Sequence, residues 1–382
     1  MTVPKKILIV YPHNFYERES GVNTRFFEFI SLLKEMGYVT DLLGLKHFKS
    51  SWKNFNAGNS NHLINRLFLY DFRIGYQVRR LLDFFSNRKN SAGRLLPDYA
   101  FPGMISKFHR ILQRNTYDFV VIGYVYWANL LKENLPGNPV KVLTIEDFIS
   151  QKLYEKSPGS AEMKDSIQEE ITRVNLFDRV ICLSHEEMKF FSGNALHPEY
   201  FFIPIFMARP DRTDCMKKYD ILFIGDDNAD NIEGLDWFFT KVFPLLSLEI
   251  KIVVVGKIAR YAPDLPGVTK KHYVSGVGGI YPACKISINP LKQGTGMKVK
   301  VVESLAYGIP MVNTSRGLCG MPPGYPDQFI VADDPDGFAG EIMRLLTNQE
   351  WYEEQCLRAK KIFDEHFETN VVKKELNRIF SR

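Results

Sequence analysis

The stretch with the strongest chemical content is Asn289-Pro-Leu-Lys-Gln-Gly-Thr-Gly-Met-Lys-Val-Lys-Val-Val-Glu-Ser-Leu-Ala-Tyr-Gly-Ile-Pro310. A strand is expected to end at Pro290, Gly294-Thr295-Gly296 to turn tightly, and a helix to run from about Met297 to Tyr307. Gly308 suits a helix C-cap, and Pro310 blocks continuation. Glycines at a helix start let backbone approach a ligand and aim unpaired N–H groups at an anion. Lys298 and Lys300 fall in the first turn, where the helix dipole disfavours cations. At about 100° per residue, Lys298 also shares the azimuth of Val302 and Leu305, the face that must pack on a sheet. A cation at the wrong end and on the wrong face implies a compensating anion, most simply a phosphate. The bland alternative is a lysine snorkelling from a solvated helix end. Lys300 and Glu303, three apart, read as a pair on the polar face, worth a few tenths of a kcal/mol by itself.

Other candidates carry less. Glu146-Asp147 follows the apolar run Val142-Leu-Thr-Ile145, at the C-terminal end of a strand where α/β sites form. Asp147 is a candidate to orient a substrate hydroxyl, and equally an N-cap for the next helix. His13 follows the first strand and is within reach of a ligand there, although loop histidines mostly have no such role. His185, after Leu183-Ser184, belongs to a helix cap, and Tyr273 is a candidate nucleobase contact. Gly276-Val-Gly-Gly279 is not G-x-G-x-x-G and follows no convincing strand, so a dinucleotide fingerprint is rejected. No Walker A, H-E-x-x-H or G-x-S-x-G sequence occurs. Five scattered cysteines without a C-x-x-C pair argue against a disulfide framework or structural zinc, and no metal or bound cofactor is expected.

These residues need a scaffold of strands and helices. Lys6–Tyr11, Val39–Leu45, Tyr117–Tyr124, Val140–Ile145 and Arg179–Leu183 read as buried parallel strands, with a helix over Arg25–Met36 closed by Gly37. The pattern restarts after the polar stretch Arg209–Asp214. Strands are expected at Tyr219–Gly225, Ile250–Gly256, Lys285–Pro290, Met311–Asn313 and Gln328–Val331, and helices at Ile232–Leu246, 336–347 and 350–366. Strands alternating with helices make a doubly wound α/β fold. At 382 residues and 45% hydrophobic content, two such domains can each bury a core. We expect domains over 1–206 and 219–366, a linker at 207–218, and a terminal helix in 367–382. Residues 46–114 break the pattern, with helices expected at about 61–86 and 103–114.

The run Gly294–Pro310 resembles the donor-site signature of family 4 glycosyltransferases, whose GT-B fold has two Rossmann-like domains with parallel sheets facing a central cleft. Ile221–Gly225 followed by Asn231-Ile-Glu-Gly234, Val253–Gly256 and Tyr281–Pro290 are similar to family segments in the same order. Ser20-Gly21-Val-Asn-Thr-Arg25 resembles the family's first glycine loop. The likeness spans nearly the whole chain and is most specific around 286–312. It implies a retaining transferase that uses a nucleotide-diphosphate sugar as co-substrate. Glu303 would bind the ribose hydroxyls, and Thr295, Gly296 and Met297 would line the sugar and phosphate pocket. Lys298 would meet the pyrophosphate, while Gly21, Arg25, Gly225 and Tyr273 complete the donor side. Asp147 would serve the acceptor or an oxocarbenium-like centre. Two departures stand out. The family often carries glutamates eight apart, yet Thr295 stands eight before Glu303. Members also often place Arg and Lys after the strand ending here at Gly225, where this chain has Asp226-Asp227-Asn228. Phosphate charge then falls to Lys298, helix N-termini and Arg25.

Charge is uneven. Residues 46–114 hold thirteen Lys and Arg against three Asp, a local +10 within a net +5, so the remainder carries −5. With Trp52, Phe55, Phe68, Tyr70, Phe72, Phe84 and Phe85 interspersed, the block suits an anionic membrane surface; the alternative is a solvated basic face over a core of aromatics. Nucleic acid is not expected, because no binding module surrounds the patch. A glycan or lipid-linked acceptor fits the resemblance. No apolar run reaches a membrane span and the start leads directly into a strand, so the expected location is cytoplasmic, peripheral at the inner membrane face.

Overall fold

The computed structural model describes residues 4–17, 21–46, 51–73, 96–146, 148–149, 161–211, 216–246, 249–274, 276–294, 296–322 and 326–381. The chain divides into two compact units, Met1–Ile203 with Glu375–Arg382, and Pro204–Lys374.

The first unit is built on seven strands: β1 Lys6–Val10, β2 Val39–Lys46, β3 Arg66–Asp71, β4 Phe119–Gly123, β5 Val140–Thr144, β6 Arg179–Cys182 and β7 Glu199–Phe202. They lie in the order β3-β2-β1-β4-β5-β6-β7, every pair parallel. The central strands β1 and β4 are apolar runs buried on both faces, as covering helices require. Those helices include α1 Gly21–Glu35, α2 Pro102–Arg114, α3 Ala161–Val174 and α4 His185–Asn194.

Six strands form the second sheet: β8 Tyr219–Ile224, β9 Ile252–Val255, β10 Val268–Lys271, β11 Cys284–Asn289, β12 Met311–Asn313 and β13 Ile330–Val331. Their order is β10-β9-β8-β11-β12-β13, again all parallel. Around it run α5 Ala229–Trp237, α6 Val299–Ala306, α7 Pro335–Thr347, α8 Gln349–His366 and the first half of α9 Thr369–Ile379. The strand order reverses between β8 and β11, and at such a reversal the loops leaving the strands part to make a ligand crevice.

The structure corrects several expectations. The helix placed at about 61–86 is, over Arg66–Asp71, the edge strand β3, paired in register with β2; 74–95 lie outside the described residues. The helix expected over Ile232–Leu246 is composite: α5 continues as a π-helical turn at Phe238–Val242 and a 3₁₀ turn at Phe243–Leu245, where Pro244 cannot donate to the helical ladder. Strands β7 and β10 were not expected, so Gly276–Gly279 does follow a strand. In the basic block Phe55 and Tyr70 are buried, while Phe68 and Phe72 pack against the main core. Its described aromatics thus serve the core; Phe84 and Phe85 lie outside the described residues. Among the described residues no helix is long and apolar enough to cross a membrane.

Candidate functional site

Two short helices converge where the second sheet reverses. α5 follows β8 and is capped by Asn228, whose side chain accepts from Asn231 N at 2.9 Å. α6 follows β11 and is tied to it by a 2.5 Å contact between Ser287 Oγ and Ser304 Oγ; Ser304 Oγ also donates to Ile309 O at 2.8 Å. The turn before α6 takes the expected form, with φ of +103° at Gly294 and +71° at Gly296, a region open to glycine.

Here the lysine assignment changes. α6 begins at Val299, two residues later than expected, so Lys298 is its N-cap. Lys298 is half-buried, and its ammonium folds back onto Gly296 O at 2.8 Å. The cation on the packed face is Lys300, only 8% exposed. Lys300 Nζ donates to Asn231 Oδ1 at 2.8 Å and stands 4.9 Å from the centroid of the Phe223 ring. Asn231 is fixed in turn, its Nδ2 donating to Asp226 O at 3.0 Å. Burial pushes Lys300 down to about 7, with the charge of Lys298 adding to the effect and Glu303 opposing it.

Glu303 is therefore no surface partner. Tyr281, fully buried before β11, donates its hydroxyl to Glu303 Oε2 at 2.9 Å and stacks on Tyr307 with ring centroids 5.2 Å apart. Burial raises the Glu303 pKa, while the Tyr281 hydroxyl and Lys300 hold it back. Oε1 has no protein donor among the described residues, which leaves a carboxylate oxygen for a hydroxylated ligand. Asn289, at the end of β11, gives its amide to Gly317 O at 2.9 Å, while its Oδ1 is buried without a partner among the described residues.

Gly225 thus stands at the entry to α5, Gly296, Met297 and Lys298 lead into α6, and Glu303 lies one turn inside α6. Gly225 leads from β8 toward Asn231, and Met297 packs against the cluster under α6. Tyr273 follows β10 and is 84% exposed. Thr295 and Asp147 lie outside the described residues. The acidic run after Gly225 brings cations by pairing: Asp226 meets Lys257 at 3.5 Å and Asp227 meets Arg260 at 2.7 Å. Asn231 and Tyr281 were missed in the sequence. The one available signal was the spacing of Asn231 behind a capping asparagine.

In the first unit, α1 starts at Gly21 and holds Arg25 in a buried ion pair with Glu146, just past β5. Thr144 Oγ1 donates to the same carboxylate at 2.9 Å. The guanidinium proposed for phosphate is thus engaged inside its own unit. The cap before α4 is Ser184, in a capping box with Glu187, and His185 is the first helical residue. Glu187 is pushed up to about 7 by burial, with Glu146 adding to the rise and the backbone amides of Leu183 and Ser184 opposing it. Among the described residues no group of three or more His, Cys, Asp and Glu stands together as a metal-ligand set.

Comparison with known proteins fits this geometry. Residues 218–348 match the family model described as glycosyl transferases group 1. That stretch is a group 1 glycosyltransferase domain. It takes in β8 to β13, α5, α6 and α7, and so the whole constellation around Lys300 and Glu303. A Klebsiella pneumoniae relative, an uncharacterised 44.6 kDa protein in the cps region, is 23% identical over 301 residues, covering 70% of this chain and 75% of the relative. Similar solved structures include sucrose-phosphate synthase from Thermosynechococcus elongatus, with TM-score 0.69, 12% identity and 98% of each chain covered. TarM of S. aureus gives TM-score 0.68, 14% identity and 99% of each chain. Anabaena HepE, in complex with UDP and glucose, gives 0.66, 12% identity, and 98% of this chain against 99% of its own. At these identities the likeness is one of fold: the group 1 glycosyltransferase domain sits in a chain with GT-B architecture.

Proposed function

We propose that the chain transfers a sugar from a nucleotide-diphosphate sugar to a glycan or lipid-linked glycan in surface-polysaccharide synthesis, with retention of anomeric configuration. The observation that carries this reading is the α6 constellation: a carboxylate with one oxygen open, beside lysines and helix N-termini at a sheet reversal. The Klebsiella relative from a cps region supports the polysaccharide setting, and the HepE complex with UDP and glucose supports the donor class. Glu303 takes the ribose hydroxyls, with Tyr273 near the base. Gly225, Thr295, Gly296 and Met297 line the pocket, while Lys298 and the helix-end amides meet the departing diphosphate. On the acceptor side we assign Asp147, while Gly21 stays on the donor side with Arg25, which acts through its pair with Glu146. Catalysis is then positioning plus electrostatic stabilisation of the leaving group, without a metal.

Lys298→Ala is expected to lower turnover by about 10²–10³, because charge on the leaving group grows toward the transition state. Glu303→Ala removes hydrogen bonds made throughout, so it is expected chiefly to raise the donor KM. The test is nucleotide release with and without a glycan acceptor, in EDTA and in Mg²⁺. Acceptor-dependent release in both supports the reading. Sugar epimerised without acceptor would indicate a nucleotide-sugar epimerase, and nucleotide binding without reaction an inactive homologue.

For the membrane, Lys46, Lys53, Arg66, Arg73, Arg110 and Arg114 face solvent while the described aromatics do not, so we propose attraction by cations alone. Co-sedimentation with phosphatidylserine vesicles is expected at low salt and not at high salt. Equal recovery in the supernatant at both would exclude it.

A further inference from the structure

Lys300 poses an electrostatic problem that the described residues do not solve. Its ammonium has three N–H groups, and the one acceptor it meets among the described residues is the neutral amide oxygen of Asn231. Among the described residues no carboxylate forms an ion pair with it. The two helices it lies between, α5 and α6, both present their positive ends here. A buried cation among positive dipole ends costs stability unless an anion completes it.

The surrounding charges do not supply that anion. On its own helix, Lys298 repels Lys300 and Glu303 attracts it, yet Glu303 Oε2 is held by Tyr281. On the segment between β8 and α5, Asp226 and Asp227 are paired with Lys257 and Arg260. The Asp230 carboxylate lies beside Gly294 and Lys298, at the glycine turn. From the turn before β11 comes Tyr281, and from β8 the uncharged Phe223 ring.

We propose that Lys300 joins Lys298 in meeting the donor's diphosphate, and that a proton passes from solvent to Lys300 Nζ as a nucleoside diphosphate binds. The proposal rests on the donor-site reading above and deepens it. The proton returns to solvent when the product diphosphate leaves, so donor exchange is coupled to pH. The lowered affinity of Lys300 for its proton, which places it about half neutral near pH 7, agrees with such uptake.

The experiment is calorimetric titration of the full chain with UDP, GDP and ADP, and with the corresponding nucleosides, at pH 8 in buffers of different ionisation enthalpy. Expected is uptake of about one proton per nucleoside diphosphate at pH 8, falling toward zero at pH 6, with no uptake for the nucleosides. Lys300→Met is expected to weaken diphosphate binding by about 10²-fold, to abolish the uptake, and to leave nucleoside binding unchanged. Tight diphosphate binding by wild type without proton uptake overturns this inference alone, as does undiminished binding by the variant. Failure of every nucleotide to bind wild type overturns the donor-site reading itself. The wild-type buffer series decides the matter even where the variant does not fold.

Discussion

Lys300 should leave a mark on stability as well as on binding. Its folded pKa lies near 7, below the ordinary 10.5. Below pH 7 it is charged in both folded and unfolded chains, and the native state carries the full cost of the buried ammonium. Between pH 7 and 10.5 the native lysine sheds its proton while the unfolded one keeps it, so the cost shrinks as pH rises. Lys300→Met is therefore expected to stabilise the ligand-free protein most at pH 6, on the order of a few kcal/mol, and least at pH 10. Melting temperatures across that range check the sign. Glu187 runs the other way. Its folded pKa is raised to about 7, so stability from this group is full below about pH 4.5 and lost as pH rises through 7. Glu187→Gln is expected to flatten that decline in the first unit, as read by denaturant midpoints at pH 5 and 7.5. At this scale the sequence named the helix and put Lys298, rather than Lys300, on its packed face. An azimuth rule holds only from the first helical residue, and α6 starts at Val299. What buries Lys300 is Asn231, 69 positions away, which no local pattern reveals.

At the scale of elements, legibility followed position in the sheet. β1, β4 and β8 are interior strands whose apolar runs announce them, and β11, Cys-Lys-Ile-Ser-Ile-Asn, is an interior strand that alternates apolar and polar residues. β3, β7 and β10 are edges. β10, Val-Thr-Lys-Lys, has every residue half-buried and owes its existence to pairing with β9 rather than to its own pattern. Arg66–Asp71 mixes apolar and charged residues, so it satisfied a helical period until β2 claimed it. The close approach of the chain just past the ends of β8 and β9 gives a further prediction. Gly256 has φ of +98°, and a Cβ there would overlap Gly225 O, a backbone atom that cannot swing aside. Gly256→Ala is expected to cost about 3 kcal/mol or more. Gly296→Ala, with φ of +71° and open space around its Cβ, is expected to cost about 1 kcal/mol. Urea midpoints of the two variants separate a close approach from backbone strain; equal values would refute the difference.

At the scale of the whole chain, the sequence showed a strand–helix pattern that restarts, and the structure shows two doubly wound units. The end of the chain belongs to the first of them. Phe380 is fully buried against Phe119 and Phe29, and its carbonyl accepts from Lys5 Nζ at 3.2 Å and from the Tyr38 hydroxyl at 3.1 Å. Arg179 donates to the carbonyls of Ile379 and Ser381, the latter at 2.8 Å. Phe380→Ala is expected to cost roughly 3–5 kcal/mol, with hydrogen-exchange protection lost in β1 and β4 rather than in β8 and β11. The central claim, however, is that the second unit holds a nucleoside diphosphate through α6. Calorimetric titration of the full chain with UDP, GDP and ADP, beside the Glu303→Ala variant, tests it most directly. The account predicts saturable binding of at least one of them at one site per chain, weakened about 10²-fold by the loss of the ribose-binding carboxylate. No saturable binding by wild type, or equal affinity in the variant, would contradict it.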